Sequence, residues 1–422
     1  SFELKLRDDV VFSDGTTKFN AEVVKTNLDR LKTVNGPQTS DLSNQYESTE
    51  IVDDHTVIVH LSGPNPDLER IFSQLIGMMV NPTALAANEE GIATNPAGSG
   101  PYVLDEANTV VNDTYQFVKN EHYWDADAYP YQKLWIKTYA DQNAMLTALQ
   151  SGVVSIGYGS ADTVKTAEGF GLKVVTAPVN VSWLALNDRK GEVSPALGKQ
   201  EVRQALNMAV NRDEIVEAIF KGQAKPTVQV FPEGTPGYDA SLNNRYPYDP
   251  VKAKQMIADA GYPEGFTFTA GLAFPDRDTL IAEILASYFA DIGVTMSIEP
   301  MPGGAWNYED HMPFASVIHA MGGQGAYSDA QLLLKPSQTI WNPRGTTNSE
   351  FDALWEKGTN TTDAAERIKT YQELSKLVVE EAWFVPLAGT NAIYFYDADV
   401  ITSAEFVPQI TVPRMYTWTY AK

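Results

Sequence analysis

Segments typical of strands and segments typical of helices alternate along the whole chain, and this alternation limits the possible folds more than any other feature. Phe2–Leu6 alternates apolar and polar residues, as a half-buried strand does. Residues 279–292 instead carry apolar side chains at helical spacing, and Gly293 follows as a stop signal. A chain built in this way favours an α/β fold.

Helix and turn signals divide the chain further. Asn20 is placed to cap a helix, and Asp249 followed by Pro250 has the cap and first-turn proline of a helix start. One long helix is predicted from just after Gln200 through Ile219. The remaining signals predict a hairpin within 51–61, a helix over 143–150 and a last strong helix over 363–380.

The length of 422 residues favours two or three domains. No tandem repeat and no low-complexity linker marks a boundary between them. The polar segment 188–200 is therefore the predicted boundary, and a return of the chain near 385–387 is predicted from the Val385-Pro386-Leu387 run.

The charge balance limits the possible partners. With 31 basic and 54 acidic residues, the net charge is −23, which disfavours phosphate backbones and anionic lipid head groups. We therefore expect no nucleic-acid partner. The absence of cysteine excludes disulfides, cysteine metal sites and cysteine nucleophiles. No window reaches the roughly 18 consecutive apolar residues of a membrane helix, and the first residues lack the apolar core of a signal peptide.

Motifs of catalysis are not found. The sequence has no phosphate loop, no G-x-S-x-G elbow and no pair of histidines at the spacing of H-E-x-x-H. His311 and His319 could meet in space, but surface or core positions are the simpler interpretation. Adjacent acids such as Glu309 and Asp310 are expected by chance in so acidic a chain. We therefore predict no enzyme, no catalytic residue, no cofactor and no metal.

Aromatic residues are abundant, with 8 Trp, 20 Tyr and 17 Phe. Several stand among glycine and polar residues rather than in apolar periodicities. Flat rings beside hydrogen-bonding groups suit a cleft that holds a polar organic ligand, although partial core burial is the alternative for any single tryptophan. The segments concerned are 303–308 (GGAWNY), 325–329 (GAYSD) and 340–343 (IWNP). Trp183 heads a predicted strand over 183–187.

Collinear motifs in the chain resemble one known family, the extracellular solute-binding proteins of peptide- and nickel-type ABC importers, known as family 5. Each motif alone is weak, but their common order from the first residues onward makes the resemblance specific. The matching segments are LRDDVVFSDGT (6–16), FNAEVV (19–24), NPAGSGPY (95–102), KNEHYW (119–124), ALQSG (148–152), VRQALNMAVNR (202–212) and YDP (248–250) through AGYP (260–263).

The resemblance implies a two-lobed periplasmic-binding-protein fold of the type II, cluster C-like class, with a ligand cleft between the lobes. Residues 1–187 and the C-terminal strip 388–422 would form the first lobe, and residues 188–387 the second. Such a protein closes on its ligand and presents the closed state to a membrane permease. The implied location is the periplasm or the outer face of a Gram-positive membrane, where the protein would be a lipoprotein.

The chain begins inside the family's pattern. The opening segment that the family usually carries is absent from this sequence, together with an export signal. A trimmed sequence is the expectation here, and a first lobe of reduced size is the alternative.

A second departure concerns the ligand. Peptide-binding members carry an aspartate in a "GDYPDP"-like motif that pairs with the α-ammonium of the peptide, and Ala326 stands at that position. Asp329 is retained three residues later. Loss of this carboxylate disfavours peptides with a free amino terminus, because a buried ammonium needs a partner. Family members also bind oligosaccharides, opines and nickel chelates, so oligopeptide and oligosaccharide both stay open.

Rough alignment and local composition then predict the ligand-binding residues. Stacking platforms are expected from four aromatic residues: Trp183, Trp306, Tyr327 and Trp341. Hydrogen bonds are expected from three polar residues: Asn307, Gln324 and Asp329.

The leading hypothesis is a monomeric binding component of an ABC importer that captures a small organic solute and delivers it to a permease. One alternative is a cleft enzyme acting on a glycoside or a peptide through paired carboxylates. Another is a sensory module that uses the same fold without a transporter.

Overall fold

The computed structural model describes residues 1–34, 40–301, 308–323, 325–335, 340–404, 415 and 418–420. These residues form two compact units. The first unit is Ser1–Gly157 together with the described residues from Tyr396 onward, and the second unit is Tyr158–Phe395.

The predicted lobe limits after residues 187 and 387 do not coincide with the edges of these units. The polar segment 188–200 lies wholly inside the second unit, where Asp188 and Ser194 are buried. The polarity of this segment comes from internal hydrogen bonds, which composition cannot separate from exposure to solvent. The assignment of 1–187, 188–387 and 388–422 to two lobes stays a prediction.

The strands of the first unit form three small antiparallel sheets. Their orders are β1-β3-β2, β4-β5-β6 and β14-β15. The hairpin predicted within 51–61 is confirmed, because β2 and β3 pair across a turn at Asp54 and His55. The strands are β1 (Phe2–Lys5), β2 (Tyr46–Asp53), β3 (Thr56–Leu61), β4 (Tyr102–Leu104), β5 (Thr114–Lys119), β6 (Lys133–Lys137), β14 (Ile401–Ser403) and β15 (Thr419–Tyr420).

Short helices pack beside these sheets. The predicted cap at Asn20 is confirmed, since its Oδ1 accepts a hydrogen bond from the backbone N–H of Val23 at 3.1 Å. Val57 and Val59 of β3 are fully buried against the helix that follows this cap. The helices are α1 (Ala21–Arg30), α2 (Ser40–Ser43), α3 (Leu68–Phe72), α4 (Pro82–Ala87) and α5 (Gln142–Gln150).

The turn at Ser13-Asp14-Gly15 is held by one carboxylate. Asp14 accepts hydrogen bonds from the backbone N–H of Thr16 (2.9 Å) and Thr17 (2.8 Å), from the Thr17 hydroxyl (2.6 Å) and from Asn81 Nδ2 (2.8 Å). These bonds, that of the Thr17 hydroxyl foremost, hold the pKa of Asp14 well below its usual range. The aspartate of the FSDGT motif is therefore a structural residue.

This geometry predicts an acid-sensitive turn. A carboxylate with a depressed pKa stabilises the fold above its unfolded pKa, near ~3.9, and that stabilisation is lost as the pH falls through the folded value. The difference in unfolding free energy between wild type and Asp14→Asn should therefore shrink as the pH falls from about 5 toward 2. Urea unfolding at stepped pH measures it, with Asp8→Asn as an exposed control. A difference that stays constant with pH would contradict the role of the Asp14 charge.

A seven-stranded sheet forms the centre of the second unit. Its order is β11-β10-β12-β8-β13-β7, and β9 pairs with β13. Strand β10 runs parallel to β11 and β12, whereas β12 runs antiparallel to β8. The strands are β7 (Ile156–Gly159), β8 (Lys173–Ala185), β9 (Ala224–Pro226), β10 (Phe266–Leu272), β11 (Val294–Pro300), β12 (Ser316–Met321) and β13 (Phe384–Tyr396).

Helices cover both faces of this sheet. Leu184 of β8 and Leu186 just after this strand lie in one apolar layer, and Trp183 and Ala185 lie in the other, as the two-residue period of an extended chain requires. The helices are α6 (Val164–Gly169), α7 (Gln200–Met208), α8 (Arg212–Ala218), α9 (Pro250–Asp259), α10 (Pro275–Asp291), α11 (Tyr308–His311), α12 (Ala326–Leu333), α13 (Ser349–Asn360) and α14 (Ala364–Glu380).

The single long helix predicted after Gln200 is wrong, because two helices occupy that stretch. Helix α7 ends with Ala209 as its C-cap, and Asn211 starts α8 by accepting a hydrogen bond from the backbone N–H of Glu214. Asn211 has an extended backbone, which interrupts the helical hydrogen bonds. Apolar spacing alone does not detect such a break, because both helices place apolar residues in the same layer.

The polar residues of the VRQALNMAVNR motif fasten helices α7 and α8 to the segment 381–386. Arg203 Nη2 donates to Glu381 O (2.8 Å), Asn207 Nδ2 to Phe384 O (2.9 Å) and Arg212 Nε to Pro386 O (2.7 Å). Burial lowers the pKa of Arg212 to about 10. The motif therefore supplies structural hydrogen bonds inside the second unit.

Candidate functional site

The predicted ligand-binding residues fall into two groups. Four of them, Trp183, Tyr327, Asp329 and Trp341, lie together in the second unit, and all four are buried. The other three lie outside the described residues, and they are Trp306, Asn307 and Gln324.

Trp183 and Trp341 are in direct contact. Their rings meet edge to face with centroids 4.9 Å apart, and the Phe384 ring lies 5.3 Å from Trp183. Both indoles are completely buried, and the Nε1 atom of each has no hydrogen-bond partner. The two rings therefore present no open face on which a ligand could stack.

Two histidines complete the packing around Trp341. His319 stacks on this indole at 4.8 Å, with Phe274 at 5.1 Å on the other side of the imidazole. His311 meets the same indole edge to face at 4.8 Å. Both histidines contact this one tryptophan, and both are buried in the core. We refer to Trp183, Trp341, His311, His319 and Phe384 as the aromatic cluster.

Helix α12 carries the other two buried residues that were predicted to bind the ligand, Tyr327 and Asp329. Asp329 Oδ2 accepts a hydrogen bond from the backbone N–H of Gly323 at 2.9 Å, so the carboxylate holds the loop before the helix. Tyr327 stacks on Trp355 at 5.6 Å. Ala326 is also buried, with its methyl group in the apolar layer that contains the aromatic cluster.

A buried arginine holds the segment that carries Trp341. Arg189 Nη2 donates to Trp341 O and Nη1 donates to Asn342 Oδ1, both at 3.2 Å, while the guanidinium lies over the Trp383 ring. Within the part of the chain that the structure describes, no carboxylate lies at ion-pair distance from it. Burial foremost, and then the charge of Arg203, lower the pKa of Arg189 to about 9. The guanidinium acts here as a structural donor.

The second unit also has a shallow groove that is open to solvent. It runs beside strands β8, β9 and β13, and both apolar rings and polar groups line it. The lining residues are Pro178, Asn180, Val181, Lys225, Pro226, Thr227, Phe231, Pro232, Glu233, Tyr238, Gly389 and Asn391.

The charged residues of this groove form one ion pair. Lys225 Nζ lies 2.7 Å from Glu233 Oε2, and both side chains are substantially exposed to solvent, at 72% and 45%. The hydrogen bond to Glu233 raises the pKa of Lys225. The groove therefore presents a positive and a negative charge side by side.

The groove adjoins the loop that carries the family-like GAYSDA motif. With its amide nitrogen turned toward them, Asn180 donates to Val179 O and Gly322 O, each at 3.2 Å. Pro232 lies against Gly322 from the other side, since a Cβ at Gly322 would stand 3.1 Å from the proline ring. The loop before α12 thus lies at the border of the groove.

The sequence analysis did not predict that Asn180, Lys225, Glu233 and Asn391 line a groove. A signal was present, because the segment 225–238 is rich in proline and glycine and carries charged residues within an otherwise apolar stretch. Among the described residues, no cluster of three or more histidine and acidic side chains is arranged to hold a metal ion. No helix of the described chain is long and apolar enough to cross a membrane.

A sheet covered by helices on both faces defines an α/β fold. Residues 1–342 match the family model named "Bacterial extracellular solute-binding proteins, family 5 Middle". The chain belongs to this family, as its motifs predict.

Individual relatives agree with this assignment. The glutathione-binding protein GsiB of Shigella flexneri serotype 5b (strain 8401) is 27% identical over 404 residues, which cover 92% of this chain and 77% of that protein. The structure of HbpA2 from Haemophilus parasuis superposes with a TM-score of 0.85 at 20% identity, covering 99% of this chain and 87% of the other. The structure of the periplasmic binding protein DppA from Helicobacter pylori, in complex with the peptide STSA, superposes with a TM-score of 0.75 at 21% identity. The match covers 100% of this chain and 86% of the other.

The family determines what kind of protein this is. The fold is that of the two-lobed periplasmic binding proteins. The chain is a substrate-binding receptor of an ABC importer and not an enzyme, and it delivers a small ligand to the membrane permease. Proteins of this family act outside the cytoplasm, in the periplasm or at the cell surface.

Proposed function

We propose that the solute captured by this receptor is a short peptide or a peptide-like zwitterion. The observation that carries the proposal is the Lys225–Glu233 ion pair, exposed in a groove that Asn180 and Asn391 also line. Ammonium, carboxylate and peptide groups are the partners that such side chains bind.

The buried aromatic residues support this choice over an oligosaccharide. Sugar recognition by stacking needs an indole face that is open to the ligand. Both Trp183 and Trp341 are completely buried, and His319 stacks on one face of Trp341. Two of the four predicted platforms are therefore better explained as core residues that support the site from behind.

Relatives supply independent support. GsiB is named as a glutathione-binding protein, and DppA was solved with a peptide. Glutathione is itself a peptide that carries an ammonium and carboxylates. Both ligands fit a groove with one charge of each sign.

We assign the predicted site residues two kinds of role. Asp329 would position the loop at 322–325 through the backbone N–H of Gly323, and Trp183, Tyr327 and Trp341 would keep that loop in place by packing. Direct contact with the ligand is proposed for Trp306, Asn307 and Gln324. The receptor would work as a monomer, because its lobes must move freely to close on the solute.

A thermal-shift screen tests the ligand class. A ligand at 100 times its dissociation constant adds about 2.7 kcal/mol to the folded state, which should raise the midpoint by several degrees. We expect shifts with glutathione or with mixtures of di- to pentapeptides, and none with maltotriose, cellotriose or raffinose. A shift with the sugars alone would overturn the proposal. A Trp306→Ala variant that binds the best peptide as tightly as wild type would remove Trp306 from the site.

A further inference from the structure

We propose that Lys225 and Glu233 form a two-charge anchor that binds the two ends of a zwitterionic ligand. Glu233 would accept the ammonium group of the ligand, and Lys225 would bind its carboxylate. This inference rests on the proposed function and adds the residues that select for charge at both ends.

The lysine side of the anchor stands on a rigid strand. Lys225 lies in β9, opposite Gly389 of β13. The next groove residue on β13, Asn391, is held by a 2.8 Å hydrogen bond from its Nδ2 to Gln223 O. Because paired strands hold both sides of this floor, the ammonium group of Lys225 extends from a fixed backbone position.

The glutamate side stands on a tight turn. The backbone N–H of Thr235 donates to Pro232 O at 3.1 Å, and the Thr235 hydroxyl donates to the same oxygen at 2.8 Å. Gly237 packs so closely on the Phe231 ring that a Cβ there would lie 2.6 Å from it. Glu233 therefore projects from a turn whose shape is fixed on both flanks.

Replacing the Lys225–Glu233 ion pair by contacts with a ligand should cost little free energy. Exposed pairs contribute little to stability, because water solvates both charges well. A zwitterion that inserts between Lys225 and Glu233 replaces one ion pair by two and leaves neither charge unpaired. A ligand with only one charged end would leave one of the two without its partner, so the anchor selects for both ends.

The anchor also accounts for the alanine at position 326. Ala326 is 2% exposed in an apolar layer, so this position offers no carboxylate to an ammonium group. Glu233 supplies a carboxylate on the groove that borders the same loop, through Pro232 and Gly322.

Isothermal titration with end-blocked peptides tests the anchor. The probes are mixed tripeptides with free ends, the same mixture N-acetylated, and the same mixture C-amidated. Wild type should prefer free ends over either blocked form by about two- to fivefold, as expected for the loss of one exposed ion pair. Glu233→Gln should abolish the preference for a free amino end only, and Lys225→Met should abolish the preference for a free carboxylate only.

The chain offers a matched control in the Lys357–Glu366 ion pair. That pair spans 2.6 Å between half-exposed side chains of the second unit, but it lies outside the groove. Glu366→Gln should leave all three affinities unchanged. Gly389→Val should weaken all peptides together, because it fills the floor of the groove where an added Cβ meets only Lys225 O, at 3.8 Å.

The outcomes separate the two proposals. If no free tripeptide binds, the proposed function fails and the anchor fails with it. If tripeptides bind but Glu233→Gln and Lys225→Met keep the wild-type preference for free ends, the anchor alone is overturned. Peptide binding that Gly389→Val leaves unchanged would place the ligand outside this groove and would overturn the anchor as well.

Discussion

Replacing Gly265 by alanine should lower the free energy of unfolding of the second unit by about 4 kcal/mol or more. Gly265 has a φ of +78°, and a Cβ at this position would stand 1.7 Å from Gly293 O, which is a backbone atom that cannot turn away. The two glycines immediately precede β10 and β11, whose register pairs Phe266 with Val294. The methyl group would therefore force the two parallel strands apart where their pairing begins.

Gly171→Ala is the matched control for this variant. Gly171 also lies in the second unit and has a φ of +81°, but nothing stands within 4 Å of the added Cβ. Gly171→Ala should lower the free energy of unfolding by only about 1–2 kcal/mol, which is the cost of the left-handed conformation for a residue with a side chain. Urea unfolding of both variants measures the difference. Equal losses would mean that conformation alone, and not the contact with Gly293 O, explains the effect.

Local signals in the sequence predict much of the secondary structure. The caps at Asn20 and Asp249 and the glycine stop at Gly293 act within one turn of their own residue, and the structure has each of them. The approach of Gly265 to Gly293 is different in kind. It depends on which strands pair, and no pattern within either segment carries that information.

In the candidate site, too, local sequence patterns do not reveal which residues come together in the fold. Trp341 stands beside Asn342 and Pro343 in the sequence and Trp183 heads a predicted strand, and both are predicted there to bind the ligand. Their burial comes from His311, His319 and Phe384, and strand pairing and helix packing bring these residues to the same place. Composition near a residue therefore predicted its chemistry but not its exposure.

The exposure of polar residues is hard to predict for a related reason. The polar segment 188–200 is an expected boundary because polar stretches are usually exposed. In the structure, Asp188 is completely buried, and it accepts backbone hydrogen bonds from Glu192 (2.8 Å), Val193 (2.8 Å) and Ser194 (2.6 Å). A carboxylate that organises its own loop in this way looks identical in sequence to one that faces water.

Asp188→Ala should accordingly lower the free energy of unfolding of the second unit by about 3–5 kcal/mol. It removes the acceptor of three backbone N–H groups, and it takes a buried carboxylate from Arg344, whose Nε lies 3.6 Å from Asp188 Oδ1. At roughly 2–4 °C per kcal/mol, the thermal midpoint of this unit should fall by about 10 °C. Differential scanning calorimetry measures the loss.

Glu192→Ala separates the two contributions of Asp188. Glu192 Oε2 lies 3.2 Å from the same Arg344 Nε, but its side chain is 54% exposed, so the pair should contribute no more than about 1 kcal/mol. If Glu192→Ala lost as much stability as Asp188→Ala, attraction to Arg344 would explain both results. A small loss for Glu192→Ala beside a large one for Asp188→Ala would instead assign the stability to the loop at 188–194. In that case, the hydrogen bonds from the loop backbone to the buried carboxylate of Asp188 keep this polar segment inside the second unit.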